Sequence, residues 1–317
     1  MKKNVVITDF GFPDVSVEES MLADIDCDVV AAHCTNEDEV LKLSEMADAI
    51  LVQWAPVTKK VIDNLKKCKI IVRYGIGVDN VDLNAAKEKG IPVCNVPDYC
   101  IGEVADHSVA LAIALGRQLM TTDRLVRSGI WKITPPLAMP PFREMVFATM
   151  GYGRIATEVL KRAGVFGFRT AFYDPFISPE GVQNNDLRFL TQTQLFEQAD
   201  IISLHLPLNK DTYHMINEKT LQMMKPGAIL VNTARGGLVD AAALAVALKQ
   251  GRIGGAGLDV FEQEPLPVQH PLMQCENVIL TSHTAWYSSL SVPALQRMAT
   301  EEVVRCFTGQ PLKSRVA

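Results

Sequence analysis

Three polar residues each stand just beyond a short apolar run late in the chain, and together they could act on a carbonyl group. Arg235 follows Ala228-Ile229-Leu230-Val231, and His283 follows Val278-Ile279-Leu280. Glu264 closes Asp259-Val260-Phe261-Glu262-Gln263-Glu264-Pro265, which comes after Gly255-Ala256-Gly257-Leu258. Hydride transfer to a carbonyl needs a proton donor for the forming alkoxide, and imidazolium supplies one near neutral pH. A carboxylate behind the ring raises its pKa and keeps the donor charged, a role that suits Glu264. Arg235, with two glycines after it, is placed to hold a carbonyl and a carboxylate at once and to polarise the oxygen as charge develops. Taken singly these residue types are commoner as a satisfied core histidine, a solvated loop acid and a helix-capping cation. Their shared position after strands of one sheet is the signal, because ligands of open α/β sheets bind beyond the carboxyl ends of the strands.

A fourth such position follows Ile70-Ile71-Val72, where Arg73-Tyr74-Gly75-Ile76-Gly77 forms a glycine turn. Consecutive N–H groups there can point at one anion while Arg73 adds a two-pronged donor, an arrangement that suits a carboxylate. The bland alternative is a solvated arginine beside a routine turn. Of the six histidines, His283 alone lies at a sheet edge with a carboxylate close behind it in the chain. His205, in Ser203-Leu204-His205-Leu206-Pro207, fits the adenine side of a nucleotide site through its backbone, and His107 falls in an apolar helix.

Chemistry of this kind needs a hydride carrier, and Met150-Gly151-Tyr152-Gly153-Arg154-Ile155-Ala156 supplies the place for one. The pattern reads as a strand over residues 144–149, a glycine turn, a helix over 154–164 and a second strand ending at Asp174. Gly151 permits the tight turn, and Gly153 lets backbone N–H groups reach a pyrophosphate at the positive end of the helix. Ala156 takes the small position where helix meets strand. Asp174, roughly twenty residues on, can accept hydrogen bonds from both ribose hydroxyls, so NAD is expected and a 2′-phosphate is disfavoured.

The surrounding chain is built to position these turns. At 317 residues it exceeds one ordinary core, so two domains are expected. Apolar runs at residues 5–7, 27–32, 49–52, 70–72 and 92–94 alternate with amphipathic segments such as 36–45 and 58–67, and the alternation resumes after the glycine turn. That is the pattern of parallel sheets covered by helices. Residues 103–119 predict a helix apolar on most faces, placed between domains or subunits. Residues 128–142, with Trp131 and four prolines, predict an arm or linker, and 291–308 a last helix returning to the first unit. A net charge of −5 without a basic run argues against a nucleic-acid surface. Seven scattered cysteines without a C-x-x-C pair predict free thiols in a reducing compartment and no metal site. With no signal-peptide pattern and no membrane-length apolar run, a cytoplasmic address is expected.

Together the motifs resemble the D-isomer-specific 2-hydroxyacid dehydrogenases. The matching pieces are Gly75-Ile76-Gly77-Val78-Asp79-Asn80, Asn95-Val96-Pro97, Glu103-Val104-Ala105-Asp106-His107, the glycine turn, His205-Leu206-Pro207-Leu208, Asn232-Thr233-Ala234-Arg235-Gly236-Gly237, Gly257-Leu258-Asp259-Val260-Phe261 with Glu264-Pro265, and His283-Thr284-Ala285. The resemblance implies two doubly wound parallel-sheet domains: a Rossmann NAD-binding domain (100–287) inserted in a flavodoxin-like substrate domain (1–99 and 288–317). It implies a homodimer formed through the NAD-binding domain, and a small 2-oxo or 2-hydroxy acid as substrate. It also implies Arg235 as the substrate arginine, Glu264 as the carboxylate partner and His283 as the general acid. Asp259 matches the acceptor for the nicotinamide carboxamide, with Thr233 and Ala234 beside it and Ile76 and Gly77 N–H groups on the substrate carboxylate. Tyr152, Arg154, Ile155, Leu206, Pro207, Thr212 and Ala285 complete the expected cofactor contacts. Cys94-Asn95-Val96-Pro97 and the residues after His283 are similar to the carboxy-terminal binding protein branch, in which positions matching Arg73 and Trp286 line the substrate pocket. Tyr74 is expected beside them. That branch also suggests a rival function, an NAD-responsive corepressor or scaffold. Ala148, Thr149 and Ala156 depart from the family's usual residues, and an inward Thr149 needs a hydrogen-bond partner.

Overall fold

Short β-branched runs pair into two all-parallel sheets. The computed structural model describes residues 2–131, 139–178 and 187–317, and the chain divides into two units, Met1–Cys100 with Tyr287–Ala317, and Ile101–Trp286.

In the first unit β1 (Lys3–Ile7), β2 (Cys27–Ala31), β3 (Ala49–Val52), β4 (Ile70–Arg73) and β5 (Val93–Cys94) lie in the order β2-β1-β3-β4-β5. Every residue of β3 and β4 is buried, as expected of strands covered on both faces. The helices α1 (Ser16–Ala23), α2 (Glu37–Ser44), α3 (Lys59–Asn64) and α4 (Leu83–Lys89) connect them. Asn36, Thr58 and Asp82 side chains accept the first-turn N–H groups of α2, α3 and α4, which fixes where those helices begin.

The second unit runs α5 (Ile101–Gly116), α6 (Leu119–Arg127), β6 (Val146–Met150), α7 (Arg154–Val165), β7 (Arg169–Tyr173), β8 (Leu187–Phe189), α8 (Gln192–Gln198), β9 (Ile201–Leu204), α9 (Glu218–Met223), β10 (Ala228–Asn232), α10 (Ala241–Lys249), β11 (Ile253–Leu258) and β12 (Val278–Leu280). Its sheet order is β12-β11-β10-β9-β6-β7-β8, so the strand order reverses at β6, directly before the glycine turn. The last helix, α11 (Ser291–Thr308), packs on α1, β3 and β4 of the first unit.

Some expectations need adjustment. The helix expected over 103–119 starts at Ile101 and ends at Gly116, because Gln118 takes a left-handed conformation (φ 50°). A separate helix, α6, follows, and none of its residues is buried. The buried stripe of α5 packs on α7, β10 and β11 of its own unit. The strand before the glycine turn begins at Val146, since residues Phe142–Glu144 form a 3-10 turn after Pro141. Much of the expected arm, residues 132–138, lies outside the described residues.

Thr149 in β6 is fully buried, and its hydroxyl has no hydrogen-bond partner among the described residues. An unsatisfied buried hydroxyl costs on the order of 1–3 kcal/mol. Thr149→Val, which keeps the shape and removes the polar atom, should therefore raise the thermal midpoint by a few degrees. A lower midpoint in calorimetry would mean that the hydroxyl has a partner.

Candidate active site

Strand β10 ends in a polar residue, and that residue shapes the arginine turn. Asn232 Nδ2 donates to the Arg235 carbonyl at 2.8 Å, and the Ala234 N–H donates to Asn232 Oδ1 at 3.0 Å. Gly236 follows because nothing larger fits: a Cβ there would stand 1.9 Å from the Phe261 carbonyl carbon. The half-buried Arg235 is thereby held against the loop that follows β11, whose Asp259 N–H donates to the Asn232 carbonyl at 2.9 Å.

Asp259, 1% exposed, ties that loop to the turn after β12. Its carboxylate accepts the Thr284 N–H at 2.8 Å, the Ala285 N–H at 2.9 Å and the Thr281 hydroxyl at 2.5 Å. Its carbonyl accepts the His283 N–H at 2.8 Å. These bonds hold His283 at φ 55°, a conformation that costs a non-glycine residue about 1–2 kcal/mol. From there its Nδ1 meets Glu264 Oε2 at 2.7 Å, while Glu264 Oε1 accepts the Phe261 N–H at 2.9 Å. Burial opposes ionisation of Glu264, but the His283 ring and the Phe261 N–H outweigh it and hold the carboxyl below its usual range.

The glycine turn fits a dinucleotide. Gly151 has φ 96°, and a Cβ on it would stand 2.4 Å from the His205 carbonyl oxygen, so only glycine is accommodated. A Cβ on Gly153 would meet nothing within 4 Å, leaving open space at the start of α7, where Arg154 and Ile155 present first-turn N–H groups. Ala156 is fully buried beneath them. Asp174 is fixed by the Tyr152 and Phe176 N–H groups, each at 2.9 Å and each on a different oxygen, which leaves lone pairs for two ribose hydroxyls. Tyr152 stacks on Phe172 with ring centroids 4.1 Å apart. Burial pushes His205 down to about 3, so the ring is neutral, with Nε2 2.8 Å from Ser203 Oγ. Leu206 packs against Gly151. The Thr212 hydroxyl donates to the Pro207 carbonyl at 2.7 Å and accepts the Asn209 N–H at 2.8 Å, bracing its loop. Thr233 shares a 2.8 Å hydrogen bond with Ser108 on α5.

In the first unit Arg73 ends β4 and folds over Gly75 (φ 138°), whose Cβ would collide with the guanidinium. Asn95 Nδ2 donates to the Ile76 carbonyl at 2.7 Å and the Val96 N–H to the Gly75 carbonyl at 2.9 Å, shaping the turn through Gly77. The expectation of a Tyr74 side chain against substrate is corrected. Its ring is 1% exposed, its edge meets Phe12, and its hydroxyl donates to the buried Glu18 at 2.7 Å, so it is a core residue. Trp286, partly exposed, follows the buried Ala285. Among the described residues no His, Cys, Asp and Glu cluster could hold a metal. The sequence alone places Asn232 inside a motif and Thr281 just beyond a strand, and assigns neither a role. A polar residue closing an otherwise apolar buried strand was the available signal for Asn232.

Fold and site define a dinucleotide-dependent oxidoreductase, and comparison with known proteins supplies the family. Residues 109–285 match the NAD-binding domain of the D-isomer specific 2-hydroxyacid dehydrogenases. A glyoxylate reductase of Korarchaeum cryptofilum is 39% identical over 80% of this chain and 78% of its own. One from Thermococcus litoralis is 40% identical over 76% and 75%. The structure of an Aquifex aeolicus D-lactate dehydrogenase complexed with NAD and lactic acid superimposes with a TM-score of 0.87 at 28% identity, covering 99% of both chains. The chain belongs to the D-isomer specific 2-hydroxyacid dehydrogenase family, and it is an NAD-dependent enzyme interconverting 2-hydroxy and 2-oxo acids.

The depressed Glu264 pKa carries a sign. A carboxyl held below its free value contributes stability above that value, near 4.5, and loses the contribution as pH falls through the folded pKa. The thermal midpoint of Glu264→Gln should therefore lie below wild type near neutral pH, and the gap should close below 4.5. A gap that widens on acidification would contradict the pairing.

Proposed function

We propose that His283 is the general acid and base, Glu264 its partner, and Arg235 the group that binds and polarises the substrate carbonyl. Support comes from the 2.7 Å contact of His283 Nδ1 with Glu264, which fixes the ring and directs Nε2 to the substrate oxygen. In the reducing direction Nε2 gives its proton to the oxygen at C2, and the carboxylate behind the ring stabilises the imidazolium beforehand. Arg235 faces the charge that grows on that oxygen. Gly151 through Ile155, Asp174, the His205 loop and the Thr233–Ala234 turn would hold NAD, which when bound would supply or accept the hydride. Arg73 with the Ile76 and Gly77 N–H groups is assigned the substrate carboxylate, and Trp286 the substrate side chain. Small 2-oxo acids are the substrate class, and glyoxylate is the first to test because the two relatives carry that name.

A homodimer through the NAD-binding unit is supported by α6 and the residues after it, where Leu119, Met120, Val126, Ile130 and Trp131 are exposed. A cytoplasmic location is supported by seven free cysteines. Among the described residues no helix is long and apolar enough to cross a membrane. The scaffold reading has no observation of its own, since a scaffold has no need of the His283–Glu264 pair.

His283→Ala should lower 2-oxo-acid-dependent NADH oxidation by about 10²–10⁴-fold while NADH binding persists. Retained turnover would remove the assignment. Asp174→Ala should relax the preference for NADH over NADPH in kcat/KM, and an unchanged ratio would show that another group reads the ribose.

A further inference from the structure

Residues of α5 spaced four apart run alongside residues of β11 spaced two apart. A Cβ on Gly255 would stand 3.0 Å from Leu115, and one on Gly257 2.8 Å from Leu111. The glycines thus let the helix lie against the strand. Four residues of helix rise about 6 Å and two of strand about 6.6 Å, so the columns keep step. The next rung brings His107 to Asp259. His107 Nε2 lies 3.8 Å from Asp259 Oδ1 and 3.0 Å from the Thr281 hydroxyl. The direction of the chain follows from valence. Thr281 has one hydroxyl hydrogen, and its 2.5 Å contact with the Asp259 carboxylate, an acceptor only, claims it. His107 Nε2 is then the donor to Thr281.

We propose that His107 is a positioning residue for the proton donor. Its Nε2–H, relayed by the Thr281 hydroxyl, locks the Asp259 carboxylate in the rotamer that fixes the Thr284 and Ala285 N–H groups and so aims the His283 ring. The inference rests on the reading of His283 as general acid. It separates two uses of α5: Leu111 and Leu115 pack, while His107, a quarter exposed, orients.

The test uses His107→Phe, His107→Gln and Thr281→Val in the full chain with NADH and glyoxylate. Loss of the donor should lower kcat about tenfold or more, because a misplaced acid is costly, with KM changing less than about threefold. Amide exchange at Thr284 and Ala285 should accelerate in His107→Phe, a readout independent of turnover. Gln, whose side-chain amide can donate to Thr281, should recover most of kcat. Thr281→Val should match His107→Phe, and the double variant should be no worse, as expected of two links in one chain. A kcat within about twofold of wild type in His107→Phe, a Gln variant as impaired as Phe, or multiplying losses would each overturn the proposal. Should His107→Phe not fold, His107→Gln and Thr281→Val decide by the same criteria. Activity lost in His283→Ala but kept in His107→Phe overturns the positioning role alone; activity kept in His283→Ala overturns the general-acid reading itself.

Discussion

One buried carboxylate, Asp259, organises the carboxyl end of the strands in the second sheet. Asp259 takes two backbone N–H groups and a hydroxyl on its side chain, and its own backbone bonds Asn232 on one side and His283 on the other. Neighbouring parallel strands end at nearly the same level but send their loops away independently. A group that joins three of those loops turns them into one rigid surface. The left-handed backbone at His283 is tolerable only under such a constraint, and the constraint in turn fixes where the imidazole points.

The second requirement is a carboxylate against the imidazole. Glu264 supplies it from the same loop, five residues beyond Asp259, with its other oxygen held by a backbone amide. A single excursion after β11 therefore carries both the residue that places the histidine backbone and the residue that bonds its ring. The close approach of Gly236 to Phe261 presses the arginine turn onto that excursion, so the three chemical groups share one support.

Much of this was legible in the sequence, for a physical reason. Strand ends, glycine turns and the carboxylate after β7 are local features, set by residues adjacent in the chain, and the parallel topology places strand ends at one edge. The boundaries of β6 and α5 moved because Pro141 and the left-handed Gln118 act through backbone geometry that hydrophobic pattern does not register. What the pattern could not give was partnership across the sheet. Tyr74 looked like a turn residue available to substrate, and only packing shows its hydroxyl on Glu18. His107 looked like one more residue of an apolar helix until the glycines of β11 fixed the helix register. The relatives agree with the motif-level resemblance in class.

In the proposed site a substrate carbonyl oxygen sits between His283 and Arg235. The most direct measurement is a crystal structure of the enzyme with NADH and oxamate, an unreactive 2-oxo acid analogue. The oxamate 2-oxo oxygen should lie within about 2.7–3.2 Å of both His283 Nε2 and the Arg235 guanidinium. An oxamate held with that oxygen in contact with neither side chain would contradict it.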